Sequence, residues 1–130
     1  MKRLLFVCTE NSGRSQIAEA FARIHNTAGL EIWSAGSKPS GKVNSLAIKS
    51  MQEVGYDLTK HDSKSLNDIP KVTFDIVIIM GCGETCPFVS AKQREDWDIP
   101  DPKNYSLEQF REIRNLIESK VKNLLSQINV

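Results

Sequence analysis

Cysteine and histidine are scarce in this chain, with three cysteines and two histidines in 130 residues. An odd cysteine count cannot pair off completely, so a disulfide-stapled scaffold is excluded and at least one thiol needs another explanation. His25 and His61 lie far apart and match no ligand spacing, so no metal site is expected. Charge of one sign is also lacking: 17 basic residues face 16 acidic ones, a net charge of +1. No broad nucleic-acid or membrane surface follows from that balance, and any anion selectivity has to come from local geometry. No apolar run approaches the roughly 18 residues of a membrane span. The start, MKRLLFVC, has the basic tip of a signal peptide, but its apolar run from Leu4 ends at Cys8, too short for the hydrophobic region of one. The expected location is therefore the cytoplasm. No repeat, linker or low-complexity tract divides the chain, which reads as a single domain over residues 1–130.

What is present is an alternation of strand and helix patterns. Residues 3–7, RLLFV, form a continuous apolar run that predicts a buried strand. From Ser15 the spacing of Ile17, Ala20, Phe21 and Ile24 predicts a helix, ended by Thr27-Ala28-Gly29. A second strand is expected over Leu30 to Ala35, and a second helix over Val43, Ala47, Met51 and Val54, stopped by Gly55. Residues 57–70 read as a loop with a short helical turn. Phe74 to Met80, FDIVIIM, is the strongest strand signal. A segment with Gly81, Cys82, Gly83 and Cys86 follows, and EDWDIPDP reads as turn-rich. Ser106 and Gln109 make a capping box for a last helix, whose apolar stripe runs Phe110, Ile113, Ile117, Val121, Leu124, Ile128. Alternating strands and helices predict an α/β fold with a parallel sheet covered on both faces.

The chemistry centres on Cys8-Thr9-Glu10-Asn11-Ser12-Gly13-Arg14-Ser15, a C-x5-R-S segment between the first strand and first helix. At the carboxyl end of a strand, a tight loop turns backbone N–H groups inward while the next helix adds its positive end. Thr9, Glu10, Asn11, Ser12, Gly13 and Arg14 would then bind an oxyanion, with the guanidinium of Arg14 forking two hydrogen bonds to it. Gly13 would supply backbone conformations barred to other residues. A thiol at the start of such a cradle feels the same field, which favours its thiolate and makes Cys8 a nucleophile. Ser15 is placed to donate a further hydrogen bond to that sulfur. Glu10 is an acid inside an anion loop and opposes binding unless it points to solvent.

With this loop and the distal Asp101-Pro102, the chain resembles the low-molecular-weight tyrosine phosphatase superfamily. Within it, CTENSGRSQIAEAF, WSAGS, AIKSMQEVGYDLTKHDSKSL and EDWDIPDP resemble the arsenate reductases coupled to thioredoxin. The resemblance spans nearly the whole chain. It implies a doubly wound sheet of four parallel strands with helices on both faces, no organic cofactor, and covalent capture of the oxyanion by Cys8.

The same resemblance implies roles for residues elsewhere. Asp101 corresponds to the general acid that protonates the departing oxygen; Asp96 and Asp98 lie in the same stretch. Reduction of As(V) to As(III) needs two electrons, which two thiols supply on becoming a disulfide. Cys82 would attack the Cys8–arsenic adduct, and Cys86 would carry the disulfide outward to thioredoxin or a low-molecular-weight thiol. Side chains four apart on a helix have Cβ atoms about 5–6 Å apart, whereas a disulfide needs about 3.5–4.5 Å. The Cys82–Cys86 segment therefore has to loop or unwind, which Gly81 and Gly83 permit. The interval between these two cysteines is shorter than in thioredoxin-coupled members, and Gly13 stands where a cysteine is common. Related reductases hold a potassium ion beside the loop with residues matching Asn11, Glu19 and Ser34 plus an acid. The acid's place falls on Lys64, whose ammonium is expected to replace the ion, pair with Glu19 and steady Asn11.

Two other functions share parts of this pattern. A protein tyrosine phosphatase needs Cys8, Arg14 and Asp101 but only one thiol, and its usual aromatics after the DP pair are missing, with Tyr105 one step late. A phosphocarrier phosphorylated on Cys8 needs neither Arg14 nor two further thiols.

Overall fold

The computed structural model describes residues 2–26, 29–81, 89–100 and 105–128. Four strands, β1 (Arg3–Cys8), β2 (Glu31–Gly36), β3 (Phe74–Ile79) and β4 (Ala91–Asp96), form one parallel sheet in the order β2-β1-β3-β4. The α-helices are α1 (Arg14–His25), α2 (Ser45–Gln52) and α3 (Leu107–Gln127), with 3-10 turns at Leu58–Lys60 and Leu66–Asp68.

From Leu4 onward strand β1 is apolar because it lies between β2 and β3 and is covered on both faces. Alternation along it sends Leu4 and Phe6 into a core with Ile17, Phe21, Met51, Phe110 and Ile117 of the three helices. Leu5 and Val7 enter a smaller core with Ile69, Phe74 and Val77 on the opposite face. The connection from β2 to β3 begins with α2 on the first face. It then crosses the carboxyl ends of the strands, where Gly36 bridges to Ser65, and reaches the second face at the turn Leu66–Asp68. A chain that leaves β1 to one side and returns for β3 on the other creates a crevice at their carboxyl ends, the usual place for a ligand in such sheets.

The capping box of α3 is formed as expected, with Ser106 Oγ accepting from Gln109 N at 3.3 Å and Ser106 N donating to Gln109 Oε1 at 3.0 Å. The stripe from Phe110 to Leu124 is buried and Ile128 packs at its edge. Helix α2 starts after Val43, later than the periodicity suggested, because Asn44 caps it by accepting from Leu46 N and Ala47 N at 2.8 and 3.3 Å. One strand escaped the reading of the residues: β4 occupies 91–96, so Glu95 and Asp96 are strand rather than turn. Among the described residues it pairs with β3 alone, and its mostly exposed AKQRED sequence carries the charges that protect a sheet edge instead of an apolar signal. Beyond it Trp97 and Ile99 are buried, Trp97 tilted against Phe6 with ring centroids 6.0 Å apart.

Candidate active site

Cys8 ends β1 and is 3% exposed, at the floor of the loop that leads into α1. The carbonyls of this loop are held from outside. Cys8 O, Thr9 O, Glu10 O and Ser12 O accept from the N–H groups of Ser37, Lys38, Ser40 and Asn44 at 3.2, 2.8, 3.1 and 2.8 Å. On the inner side Asn11 N donates to Cys8 Sγ at 3.3 Å, and Ser15 Oγ lies 2.9 Å from the same sulfur. Thr9 and Glu10 are half-buried, and Glu10 O also accepts from Ser63 Oγ at 2.9 Å.

The left-handed residue of the loop is Asn11, at φ +50, and not Gly13, whose φ is −130. Asparagine tolerates this region because its short amide can bond locally, and here every part of the amide is used. Its Nδ2 donates to Ser15 Oγ at 2.8 Å and to Ser34 Oγ at 3.1 Å. Its Oδ1 accepts from Gln16 Nε2 at 2.9 Å and from Lys64 N at 2.7 Å. Asn11 is fully buried and joins the loop, β2, α1 and the crossing segment.

Arg14, the first residue of α1, is 6% exposed, and its Nη1 donates to Ile99 O at 3.0 Å. Two glycines make room for this arrangement. A Cβ on Gly81 would lie 2.0 Å from Arg14 Nη1, and one on Gly36 would lie 2.6 Å from Thr9 O. The sequence suggested for Gly81 only that it lets the Cys82–Cys86 segment loop or unwind, and it marked no role for Gly36. The available signal was a glycine at the end of β2 and another just past β3, where backbone or side chains approach closely.

Behind the loop, Glu19 is a buried carboxylate 5% exposed. It accepts from Ser34 Oγ and from Arg23 Nε, the latter at 2.9 Å. Lys64 Nζ lies 3.8 Å from its Oε1 and His61 Nδ1 3.8 Å from its Oε2. The ammonium thus reaches Glu19, but it is the main-chain N–H of Lys64 that holds Asn11. A carboxylate ringed by two cationic side chains, a hydroxyl donor and an imidazole does not fit a potassium ion, which needs oxygen ligands. Burial lowers the pKa of His61 from the ordinary value of 6.5, although Glu19 opposes the shift.

Cys8, Asn11, Arg14 and Ser15 therefore meet in the loop and the start of α1, and Glu19, Ser34 and Lys64 pack behind them. Cys82, Cys86 and Asp101 lie outside the described residues. Gly81 precedes Cys82, and Ile99, which holds Arg14, is two positions before Asp101. Asp98 is exposed and Asp96 ends β4.

Comparisons with known proteins agree with this geometry. The glutaredoxin arsenate reductase of Synechocystis sp. is 37% identical over 132 residues, covering 99% of this chain and all of that protein. The solved structure of an arsenate reductase in the phosphate binding state superposes with a TM-score of 0.88 at 37% identity, over 99% of this chain and 100% of the other. The thioredoxin-dependent arsenate reductase of Corynebacterium glutamicum gives a TM-score of 0.78 at 30% identity, over 97% of this chain and 61% of that one. The model of the low molecular weight phosphotyrosine protein phosphatases matches residues 3–130, and with a C-x5-R loop, a four-stranded parallel sheet and near full-length relatives in accord, the chain belongs to that family.

Proposed function

We propose that this protein reduces arsenate to arsenite through a covalent adduct on Cys8. The observation that carries the reading is the setting of the Cys8 sulfur, 2.9 Å from Ser15 Oγ and 3.3 Å from Asn11 N, at the positive end of α1, whose first residue is Arg14. Donors aimed at a sulfur stabilise its thiolate, and the same field holds a tetrahedral oxyanion in the loop of residues 9–14.

The thiolate of Cys8 attacks arsenic and displaces one hydroxyl group, which leaves as water after Asp101 supplies a proton. The Cys82 thiolate then attacks Cys8 Sγ. The sulfur–arsenic bond breaks, its electron pair stays on arsenic as arsenite, and a Cys8–Cys82 disulfide remains. Cys86 attacks Cys82, frees the Cys8 thiolate and leaves a Cys82–Cys86 disulfide for an external dithiol or small thiol to open. Both thioredoxin-dependent and glutaredoxin relatives support an external reductant of this chemical class. The ammonium of Lys64 takes the place of a bound cation beside Glu19, while its main-chain N–H holds Asn11.

The three thiols divide the reaction into testable parts. Arsenite formation is measured with thioredoxin and its reductase, and separately with glutathione and glutaredoxin, for the parent and the Cys8→Ser, Cys82→Ser and Cys86→Ser variants. Cys8→Ser abolishes all turnover. Cys82→Ser abolishes arsenite formation yet spares hydrolysis of p-nitrophenyl phosphate, for which one thiol suffices. Arsenate reduction by Cys82→Ser at the parent rate would overturn the relay, and a parent that hydrolyses phosphate esters but leaves arsenate untouched would make it a phosphatase.

A further inference from the structure

The hydrogen bonds around Asn11 extend well beyond the loop. Gln16 on α1 is fully buried, and its Nε2 lies 3.0 Å from Asn11 O, 2.9 Å from Asn11 Oδ1 and 2.9 Å from Asp62 O. All three are acceptors in this setting, because Asn11 Oδ1 already receives Lys64 N. The nitrogen end of the Gln16 amide is thereby assigned, and its oxygen faces His61 Nδ1 at 2.8 Å. An oxygen opposite Nδ1 requires a proton on Nδ1, so in the neutral ring Nε2 carries the lone pair. Tyr56 meets that lone pair, with its hydroxyl 2.6 Å from His61 Nε2 and its ring edge-on to the imidazole at 5.4 Å.

Directions in the other half of the network follow in the same way. Ser15 Oγ accepts from Asn11 Nδ2, which leaves the hydroxyl proton of Ser15 for Cys8 Sγ. The whole series then has one polarity. Tyr56 O–H donates to His61, His61 Nδ1–H to Gln16, Gln16 Nε2–H to Asn11, Asn11 Nδ2–H to Ser15, and Ser15 O–H to the sulfur. Successive bonds of one polarity strengthen one another, and here the last acceptor is the atom that has to carry negative charge.

We infer that Tyr56 and His61 are positioning residues for the Cys8 thiolate, acting through Gln16, Asn11 and Ser15 as a single directed chain of hydrogen bonds. The inference rests on reading Cys8 as the nucleophile and deepens it: neither residue touches the oxyanion. The groups facing His61 are Glu19 and Arg23 from α1, Asp62 and Lys64 from the crossing segment, and Tyr56. Burial keeps the ring neutral at pH values where a free histidine begins to protonate. Protonation would turn Nε2 into a donor, force the Tyr56 hydroxyl to reverse, and break the polarity at its first link.

Two measurements test this on the full chain. Nitrogen-15 NMR of the parent reads the tautomer directly, and His61 is expected to carry its proton on Nδ1 at pH 7; a proton on Nε2 would overturn the proposal. Alkylation of Cys8 by iodoacetamide is then followed against pH by mass spectrometry of the Cys8 peptide. Tyr56→Phe keeps the ring and His61→Leu removes the donor to Gln16, and each should slow alkylation at pH 6 about three- to tenfold, the effect of one lost hydrogen bond. His61→Asn restores an N–H where Nδ1 stood but leaves Tyr56 without its acceptor, so it should recover the profile of Tyr56→Phe and no further, which a purely structural role would not require. If Tyr56→Phe leaves the profile unchanged, the chain does not act on the thiolate, whether or not His61→Leu folds. Failure of the underlying reading looks different: in that case Cys8 of the parent itself alkylates no faster than a free cysteine.

Discussion

Replacing Gly81 by alanine separates backbone strain from displacement of Arg14, the arginine proposed to bind the anion. Gly81 has φ +76, and an added Cβ would sit 2.0 Å from Arg14 Nη1, 2.9 Å from Cζ and 3.2 Å from Nη2. The left-handed backbone alone costs alanine about 1–2 kcal/mol. For a chain of this size that lowers Tm by about 3–10 °C. The second effect is on Arg14. A distance of 2.0 Å lies far inside contact, so the guanidinium has to leave the position where it holds Ile99 O, and the oxyanion loses a charged donor. Loss of one such donor from a transition state lowers kcat by about 10²–10³. Gly55 provides the control, because it has φ +84 with nothing within 4 Å of an added Cβ. Gly55→Ala should therefore lose comparable stability while its turnover stays at the parent level. Thermal denaturation and arsenite formation are measured on both. If Gly81→Ala turns over at the rate of Gly55→Ala, the close approach of Arg14 to Gly81 does not govern anion binding and the reasoning fails.

Two further outcomes follow from the ion pairs. Glu53, at the end of α2, is held by Arg111 and Arg114 of α3, with Arg111 Nη2 at 2.6 Å and Arg114 Nη1 at 2.7 Å. The hydrogen bond from Arg111 is the main cause of its pKa falling from 4.5 to about 2. A carboxylate with a depressed folded pKa stabilises the fold above its unfolded pKa and loses that contribution as pH falls through the folded one. The Tm deficit of Glu53→Gln should accordingly be full above pH 4.5 and shrink toward pH 2; a deficit that does not vary with pH rules this out. Lys64→Ala removes the ammonium 3.8 Å from Glu19 and leaves its main-chain bond to Asn11 in place. Arsenate turnover should then rise with potassium more than with sodium, a dependence the parent lacks, and identical salt titrations would reject the replacement of an ion by Lys64.

Much of the site was legible because its chemistry is local in sequence. Cys8 and Arg14 fall at the end of a strand and the start of a helix, where elementary electrostatics already favours an anion, and Ser106 with Gln109 marked the start of α3. Strand β4 was not legible, because an edge strand paired on one side needs no apolar run. Gly13 takes the unusual conformation its sequence suggested, at φ −130 and ψ −88, whereas nothing local marked Asn11, and the bonds that hold it at φ +50 come from residues up to 53 positions away. Amino-acid order by itself determined the parallel α/β architecture and singled out Cys8 as the candidate nucleophile, through periodicity and one short loop. Only the tertiary structure brought Gly36 and Gly81 against that loop and linked Tyr56 and His61 to it through Gln16. Close approach and hydrogen-bond direction depend on where distant segments meet, and no local pattern records that.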